Sequence, residues 1–177
     1  VEKDAQEQSS KAAERGVELH AKLQGWYEGI PPGADIGWVF PVTEALTARF
    51  GEQKWSAEAS FAHALGFGGK VDLHSETVLI DFKTRDFSEV PQKCWDDYAL
   101  QLAAYEQGLG IKFETVANVI VSTRVPGLTY IHEWPREEID LAWKKFGVCR
   151  RPIQSMVADV VGHGLVGSTA GRIQEDF

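Results

Sequence analysis

Two acids and a lysine stand close together in the stretch GGKVDLHSETVLIDFKT, residues 68–84. The charged residues are Asp72, Asp81 and Lys83, and the apolar residues around them predict two short β-strands joined by a turn. Two carboxylates held close together can bind a hard divalent cation. A lysine on the same surface can reach the same substrate atom, so this hairpin is the first candidate for chemistry in the chain.

The length of the turn decides which side chains share a face, because a slip of one residue reverses every assignment. A two-residue turn at Ser75–Glu76 and a four-residue turn at 74–77 predict the same register, with Val71 opposite Ile80 and Leu73 opposite Val78. Asp72 then lies diagonal to Asp81, with their Cβ atoms about 7 to 8 Å apart. This register predicts that one ion can be held between the two acids.

The same register divides the hairpin into an apolar face and a charged face. The apolar face holds Val71, Leu73, Val78, Ile80 and Phe82, and the charged face holds Lys70, Asp72, His74, Leu79, Asp81 and Lys83. One interpretation is a solvated outer face with a Lys70–Asp81 ion pair. The other is a partly covered face, indicated by Leu79, on which two acids near one lysine require a compensating cation or substrate.

The remaining chain predicts the elements that must position these residues. Helices are expected at 3–27, 41–50 and 92–106, strands at 55–64, 68–74, 77–83, 115–123 and 128–134, and a last helix opened by PREE and kinked at Pro152. We expect Pro41 in the first turn of its helix and a meander of the first three strands. This order predicts an α/β fold with a central mixed sheet of about five strands flanked by helices. No domain boundary interrupts it.

Composition excludes several classes of protein. The chain has 177 residues, 44% of them hydrophobic, a net charge of −8 and no apolar run of about 20 residues, so we expect a soluble, intracellular protein without a membrane contact. Two cysteines, Cys94 and Cys149, are too few for an iron-sulfur cluster. The sequence contains no glycine-rich loop ending in GK[ST], so we expect no bound nucleotide. Positive charge gathers at Lys144, Lys145, Arg150 and Arg151, which form either a phosphate-contacting patch or a solvated helix face.

Four motifs in order give the chain a resemblance to a known family. An acid in GKVDL, then DFKT after an apolar strand, resembles the PD-(D/E)XK nuclease signature, although Val71 stands where the proline would be. QLAAY at 101–105 resembles the Gln-x-x-x-Tyr motif of RecB-like nucleases, and RGVELH at 15–20 resembles their upstream histidine motif. The motifs span residues 15–105, and the nearest likeness is to single-domain exonucleases of phage and mitochondrial type.

The resemblance implies a restriction-endonuclease-like core and a site in which each residue has a role. Asp72, Asp81, His20 and the Phe82 carbonyl would bind one or two Mg²⁺ or Mn²⁺ ions, while Lys83 would orient water or stabilise negative charge. Gln101 and Tyr105 would complete the catalytic set. Glu58 either supports the metal or its water, or is exposed on its strand.

It also implies an arrangement of the whole chain as one RecB-like domain. Residues 1–50 would form a helical cover, 54–134 the catalytic core and 135–177 the C-terminal helices and tail. In this cover, Trp26 and Tyr27 would either stack on the bases of a single DNA strand or lie in the protein core.

Three functions remain open at this stage. The first is a metal-dependent DNA exonuclease acting on ends or single strands, in a bacterium or phage-infected host or an organelle. The second is a structure-specific or restriction-like endonuclease on the same fold. The third is a catalytically silent DNA-binding or scaffold protein. The expected partner is DNA, and the repair or recombination pathway, with any helicase partner, is left open.

Overall fold

A computed structural model describes the backbone of residues 2–90 and 94–147 and the side chains from residue 13 onward, with the same gap. Two helices open the chain: α1, Glu2–Tyr27, and α2, Ile36–Phe50, which follows a 3-10 turn at Gly33–Asp35. The helix predicted at 3–27 is confirmed. The helix predicted to begin at Pro41 begins five residues earlier, so Pro41 lies inside it. A proline there removes the hydrogen bond to the carbonyl of Gly37 and crowds that carbonyl with its ring, in the turn next to the helix start.

Five strands form one mixed sheet in chain order. They are β1, Ser56–His63; β2, Phe67–His74; β3, Val78–Arg85; β4, Thr115–Ser122; and β5, Thr129–Glu133. Strands β1, β2 and β3 form the predicted antiparallel meander, β3 and β4 are parallel, and β4 and β5 are antiparallel. The parallel step needs a crossover, which helix α3, Asp96–Leu109, provides. The predicted α/β class with a five-stranded mixed sheet is confirmed.

The predicted register of the β2–β3 hairpin is wrong, because the turn lies one residue later in the chain than predicted. Most side chains of the hairpin nevertheless lie on the predicted face of the sheet. Leu73 pairs with Ile80 and His74 with Leu79, so the two-residue turn is Glu76–Thr77. The Ser75 hydroxyl oxygen explains the shift, because it accepts the backbone N–H groups of Thr77 and Val78 and so places Ser75 before the turn. The loop length stays even, so Asp81 and Lys83 still share the face that Leu79 occupies.

Two apolar clusters cover the two faces of the sheet. On one face, α1 and α2 pack against Leu73, Val78, Ile80 and Phe82, as predicted for the apolar side of the hairpin. Trp26 and Tyr27 pack against this cluster too, which confirms the core alternative for these aromatics. On the other face, α3 packs against Leu79, Val116 and Ile120, together with the helix at 136–147, which we call α4.

Val71 departs from its predicted face. It belongs to the α3 cluster, whereas Leu73, two residues on, belongs to the α1–α2 cluster. Opposite the residue between them lies Glu58, whose φ of 60° is in the left-handed region. The strand therefore twists at Asp72, and the alternation that the sequence predicts is broken there.

The C-terminal prediction can be followed only in part. Helix α4 begins directly after Pro135, as the PREE motif predicts. Pro152 and the tail lie outside the described residues. Within the parts of the chain that the structure describes, no helix has the length and apolar character needed to cross a membrane.

Candidate active site

The predicted site residues meet where β2 and β3 separate. Within the described strands, ladder pairing stops at Leu73–Ile80, and beyond it the Phe82 backbone N–H donates to Asp72 Oδ2 at 2.7 Å. In the observed register Asp72 and Asp81 would form the next pair, but the ladder ends before them. The first acid therefore takes the place of a backbone acceptor for Phe82, the residue directly after Asp81.

Asp81 is the most deeply buried acid of the site, with 1% of its surface exposed. Its Oδ2 accepts bonds from Lys83 Nζ and Asn118 Nδ2, both at 2.7 Å. The pKa of Asp81 is raised to about 6, chiefly by burial; the Lys83 charge opposes this rise and the Asp72 charge adds to it. The exposed face with a Lys70–Asp81 pair, one of the two interpretations above, is thereby excluded.

Lys83 joins strand β3 to helix α3. Its ammonium contacts both oxygens of Asp81 and donates to Gln101 Oε1 at 2.7 Å. Gln101 Nε2 in turn donates to the Tyr105 hydroxyl at 2.5 Å, and burial raises the pKa of Tyr105 to about 12. The i, i+4 spacing of Gln101 and Tyr105 puts both on the helix face that meets the sheet. The structure thus brings this predicted set together.

His20 reaches the site from the other face of the sheet. Its Nε2 lies 3.4 Å from Asp72 Oδ1, and its hydrogen bond to Asp72 raises the pKa of His20 while burial lowers it. Gly16, one turn earlier, allows this approach: a Cβ there would lie 2.6 Å from Thr84 Oγ1 on β3. A groove of about 380 Å³ lies beside the ring, lined by residues of α1 and by Thr84.

Two residues of the site were missed from the sequence. Asn118 is fully buried on β4 and donates to Asp81, and its Oδ1 accepts the indole N–H of Trp134 at 2.7 Å. Because the indole can only donate, it fixes the amide with its NH₂ group toward Asp81. An asparagine inside the apolar run VANVIVS was the available signal, since a buried amide needs partners.

The less specific candidates separate into those the structure describes and those it does not. Glu58 forms an ion pair with Lys70 on the neighbouring strand, and its side chain is largely buried, not exposed. Lys144 and Lys145 are exposed on α4, whereas Arg150 and Arg151 lie outside the described residues. The basic patch therefore stays a prediction, as does a ligand role for the Phe82 carbonyl.

The metal prediction can be tested against the donor set. Among the described residues, no three or more side chains of His, Cys, Asp or Glu form a group that could hold a metal ion. An ion here must share Asp81 with Lys83 and Asn118, or displace one of them. The chemistry of the donors still fits a hard divalent cation, because the charge of Asp72 raises the pKa of Asp81, and an ion bound beside the His20 imidazole would relieve that repulsion.

Comparison with known proteins adds no relative to this picture. No family model matches the chain, and a search of curated proteins gave no significant match.

Proposed function

We propose that the protein is a divalent-metal-dependent deoxyribonuclease that hydrolyses phosphodiester bonds as an exonuclease, on DNA ends or single strands. One observation carries this proposal: the Lys83 ammonium is held between Asp81 and Gln101, and a second buried acid, Asp72, accepts the backbone N–H of the residue directly after Asp81. An ordinary structural ion pair needs neither the second acid nor the glutamine. The four groups together form a charged, partly closed surface built around one cationic side chain.

Lys83 is placed to act on a phosphate or on its attacking water. An ammonium has three hydrogens, and its three acceptors here, both Asp81 oxygens and Gln101 Oε1, belong to only two groups. An oxygen of the substrate would replace the more distant Asp81 oxygen, Oδ1 at 3.0 Å, as the third acceptor. Gln101 is itself bonded to Tyr105, so the lysine is held in one position and directs its charge at a fixed point.

Asp72 and Asp81, with His20, are the residues that would hold Mg²⁺ or Mn²⁺. A bound divalent ion supplies a nucleophilic hydroxide at neutral pH and neutralises charge on the phosphate. Asp72 is fixed by the Phe82 N–H through one oxygen and leaves the other facing His20. Asp81 is fixed by Asn118. Both acids are therefore oriented before any ion arrives, which favours binding.

The test is a cleavage assay with linear and covalently closed DNA, single and double stranded, in Mg²⁺, Mn²⁺ or chelator. We expect metal-dependent loss of linear substrate and survival of closed circles. Cleavage of circles would support the endonuclease instead. If neither metal supports cleavage, the remaining alternative is a catalytically silent DNA-binding or scaffold protein.

Lys83→Ala is the matched variant for the mechanism. We expect turnover to fall by at least a factor of 10³, because the lysine acts on the reacting phosphate, while Mn²⁺ binding by calorimetry stays within about threefold. Lys112→Ala removes an exposed lysine elsewhere on the surface and should leave both quantities unchanged. Retained cleavage in Lys83→Ala would remove this residue from the mechanism.

A further inference from the structure

Arg85 differs from the other arginines that the structure describes. Arg15, Arg49, Arg124 and Arg136 each form an ion pair with at least one carboxylate. Arg85 has no such pair among the described residues, and its Nη1 is buried without a hydrogen-bond partner. A guanidinium nitrogen that has lost water without gaining an acceptor is costly, and the rest of this half-buried guanidinium can still accept an anionic ligand.

The position of Arg85 links it to the candidate active site. It lies two residues beyond Lys83 on β3, so both side chains project from the same face of the strand. Its Cζ lies 4.3 Å from the ring centroid of Trp95, while Lys83 Nζ lies 5.2 Å from that of Tyr98. The two rings are 5.6 Å apart. The lysine and the arginine are therefore connected by a row of two aromatic rings.

Trp95 is the exposed member of this row. It has 55% of its surface open to solvent, directly before helix α3. A large aromatic ring left open beside a cation is a platform on which a nucleic-acid base can stack, whatever the base. The exposed acids Asp96 and Asp97 follow it and repel phosphate from the helix end. A phosphate beside the ring is therefore left to Arg85.

We propose that Arg85 and Trp95 form a subsite for the nucleotide next to the bond that Lys83 acts on, in a single DNA strand. Arg85 binds the phosphate and Trp95 stacks on the base. Residues two apart on a strand are separated by about 6.6 Å, close to the step between successive phosphates of an extended single strand. This inference rests on the proposed nuclease function, which supplies DNA as the substrate. The contacts of Arg85 and Trp95 with that DNA are the new part of the proposal.

The experiment measures binding and cleavage separately. Binding of a fluorescent single-stranded oligodeoxynucleotide is measured in chelator, where no cleavage occurs, for wild type, Arg85→Gln, Arg85→Lys, Trp95→Ala and Trp95→Phe. We expect about tenfold weaker binding for Arg85→Gln and Trp95→Ala. Trp95→Phe, which keeps an aromatic ring, and Arg85→Lys, which keeps the charge, should fall between these and wild type. Thermal unfolding of each variant checks that it is folded.

An abasic nucleotide separates stacking from a general loss of structure. Wild type should bind an oligonucleotide with one abasic site next to the scissile bond several-fold more weakly than the intact one. Trp95→Ala should bind both equally, because the base has lost its platform. Arg124→Gln, a change at a neighbouring arginine that is paired with Asp86, should behave as wild type.

The outcomes distinguish the subsite from the nuclease. If wild type cleaves DNA but Arg85→Gln and Trp95→Ala match its binding and its KM, the subsite is wrong and the nuclease stands. If wild type cleaves nothing yet the two variants lose binding as expected, the subsite is supported and the nuclease is wrong. If wild type does not bind the oligonucleotide, the subsite is overturned whatever the cleavage result.

Discussion

Asn118 and Trp134 lie behind the candidate catalytic residues and are linked to them through Asp81. The indole N–H fixes the amide, and the amide fixes the carboxylate. This arrangement differs from the Lys83 contacts, because Asn118 is fully buried and Trp134 is only 8% exposed. Their effect is on the orientation of an acid that the proposed reaction needs in one position.

Trp134→Phe should separate that effect from packing. The change removes one N–H and frees the amide to turn, so we expect kcat for DNA cleavage to fall by about tenfold, in the range found when supports of a metal ligand are lost. The free energy of unfolding should fall by about 1–3 kcal/mol. Steady-state kinetics and urea unfolding measure the two quantities.

Trp143→Phe is the control, since Trp143 packs on α4 against Phe67 and Phe146 and does not contact Asn118. It should lose stability and keep kcat. Equal kcat in Trp134→Phe and wild type would show that the amide needs no such support.

At this scale the sequence predicted much of the site and missed its support. Asp72, Asp81 and Lys83 were predicted from alternation, and His20, Gln101 and Tyr105 from the resemblance, and the structure brings them together. Asn118 was hidden because a single polar residue in an apolar strand carries no spacing signal. Its partner Asp81 lies 37 positions away, so only the fold shows the pair.

Helix α1 is held to the sheet at an unusually close approach. Gly16 faces Thr84 with no room for a Cβ, and His20 lies one helical turn further along the same face. The closeness of this contact sets how far the imidazole reaches toward Asp72. Glycine is therefore required here for its size, since its backbone is helical.

Gly16→Ala should lower the free energy of unfolding by about 1 kcal/mol, although alanine in a helix usually adds about that much. The added methyl forces the Thr84 hydroxyl or the helix to move, and His20 moves with it, so DNA cleavage should also fall. The double variant Gly16→Ala, Thr84→Ala should regain the stability. Chemical unfolding of the four proteins in this cycle tests the contact.

Gly37→Ala gives the comparison, because Gly37 is helical in α2 with nothing within 4 Å of its added Cβ. It should be neutral or stabilising. If Gly16→Ala behaves in the same way, α1 does not depend on the close contact.

The positions of the helices and strands were more predictable than the register in which the strands pair. Strand and helix positions follow from hydrophobic spacing, which is local, and all five strands and the crossover helix were expected. The hairpin register depended on one hydroxyl, because Ser75 bonds to the next backbone amides and moves the turn by one residue. The face of Val71 depended on the twist at Asp72, which no pattern of apolar residues encodes.

The free energy of unfolding of the whole molecule is lowered at neutral pH by the buried acid Asp81. Asp81 has a pKa near 6 in the folded chain, above its ordinary value of 3.8, so the folded state holds its proton more tightly than the unfolded state does. The free energy of unfolding therefore falls through this group as pH rises from about 4 to 6. The raised pKa of His20 acts in the same direction at higher pH: its stabilisation is present below about 6.5 and is lost as pH rises through the folded pKa.

Asp81→Asn should remove the fall in the free energy of unfolding that Asp81 causes as pH rises. In chelator, the variant should gain about 3 kcal/mol on wild type between pH 3 and pH 7, the equivalent of a shift of about two pKa units. Urea unfolding across this range measures the difference. A flat difference for Asp81→Asn would mean that the buried acid is not destabilising.

The bond between the Phe82 N–H and Asp72 has a consequence for observing the site. An amide of a sheet ladder ordinarily donates to a backbone carbonyl, but this one donates to a side chain that protons and cations can reach. The nitrogen-bound hydrogen of Phe82 is thus a resonance whose chemical shift and exchange with deuterium follow the state of Asp72. A single cross-peak in a ¹⁵N spectrum can report proton or ion binding at the site without a label or a substrate.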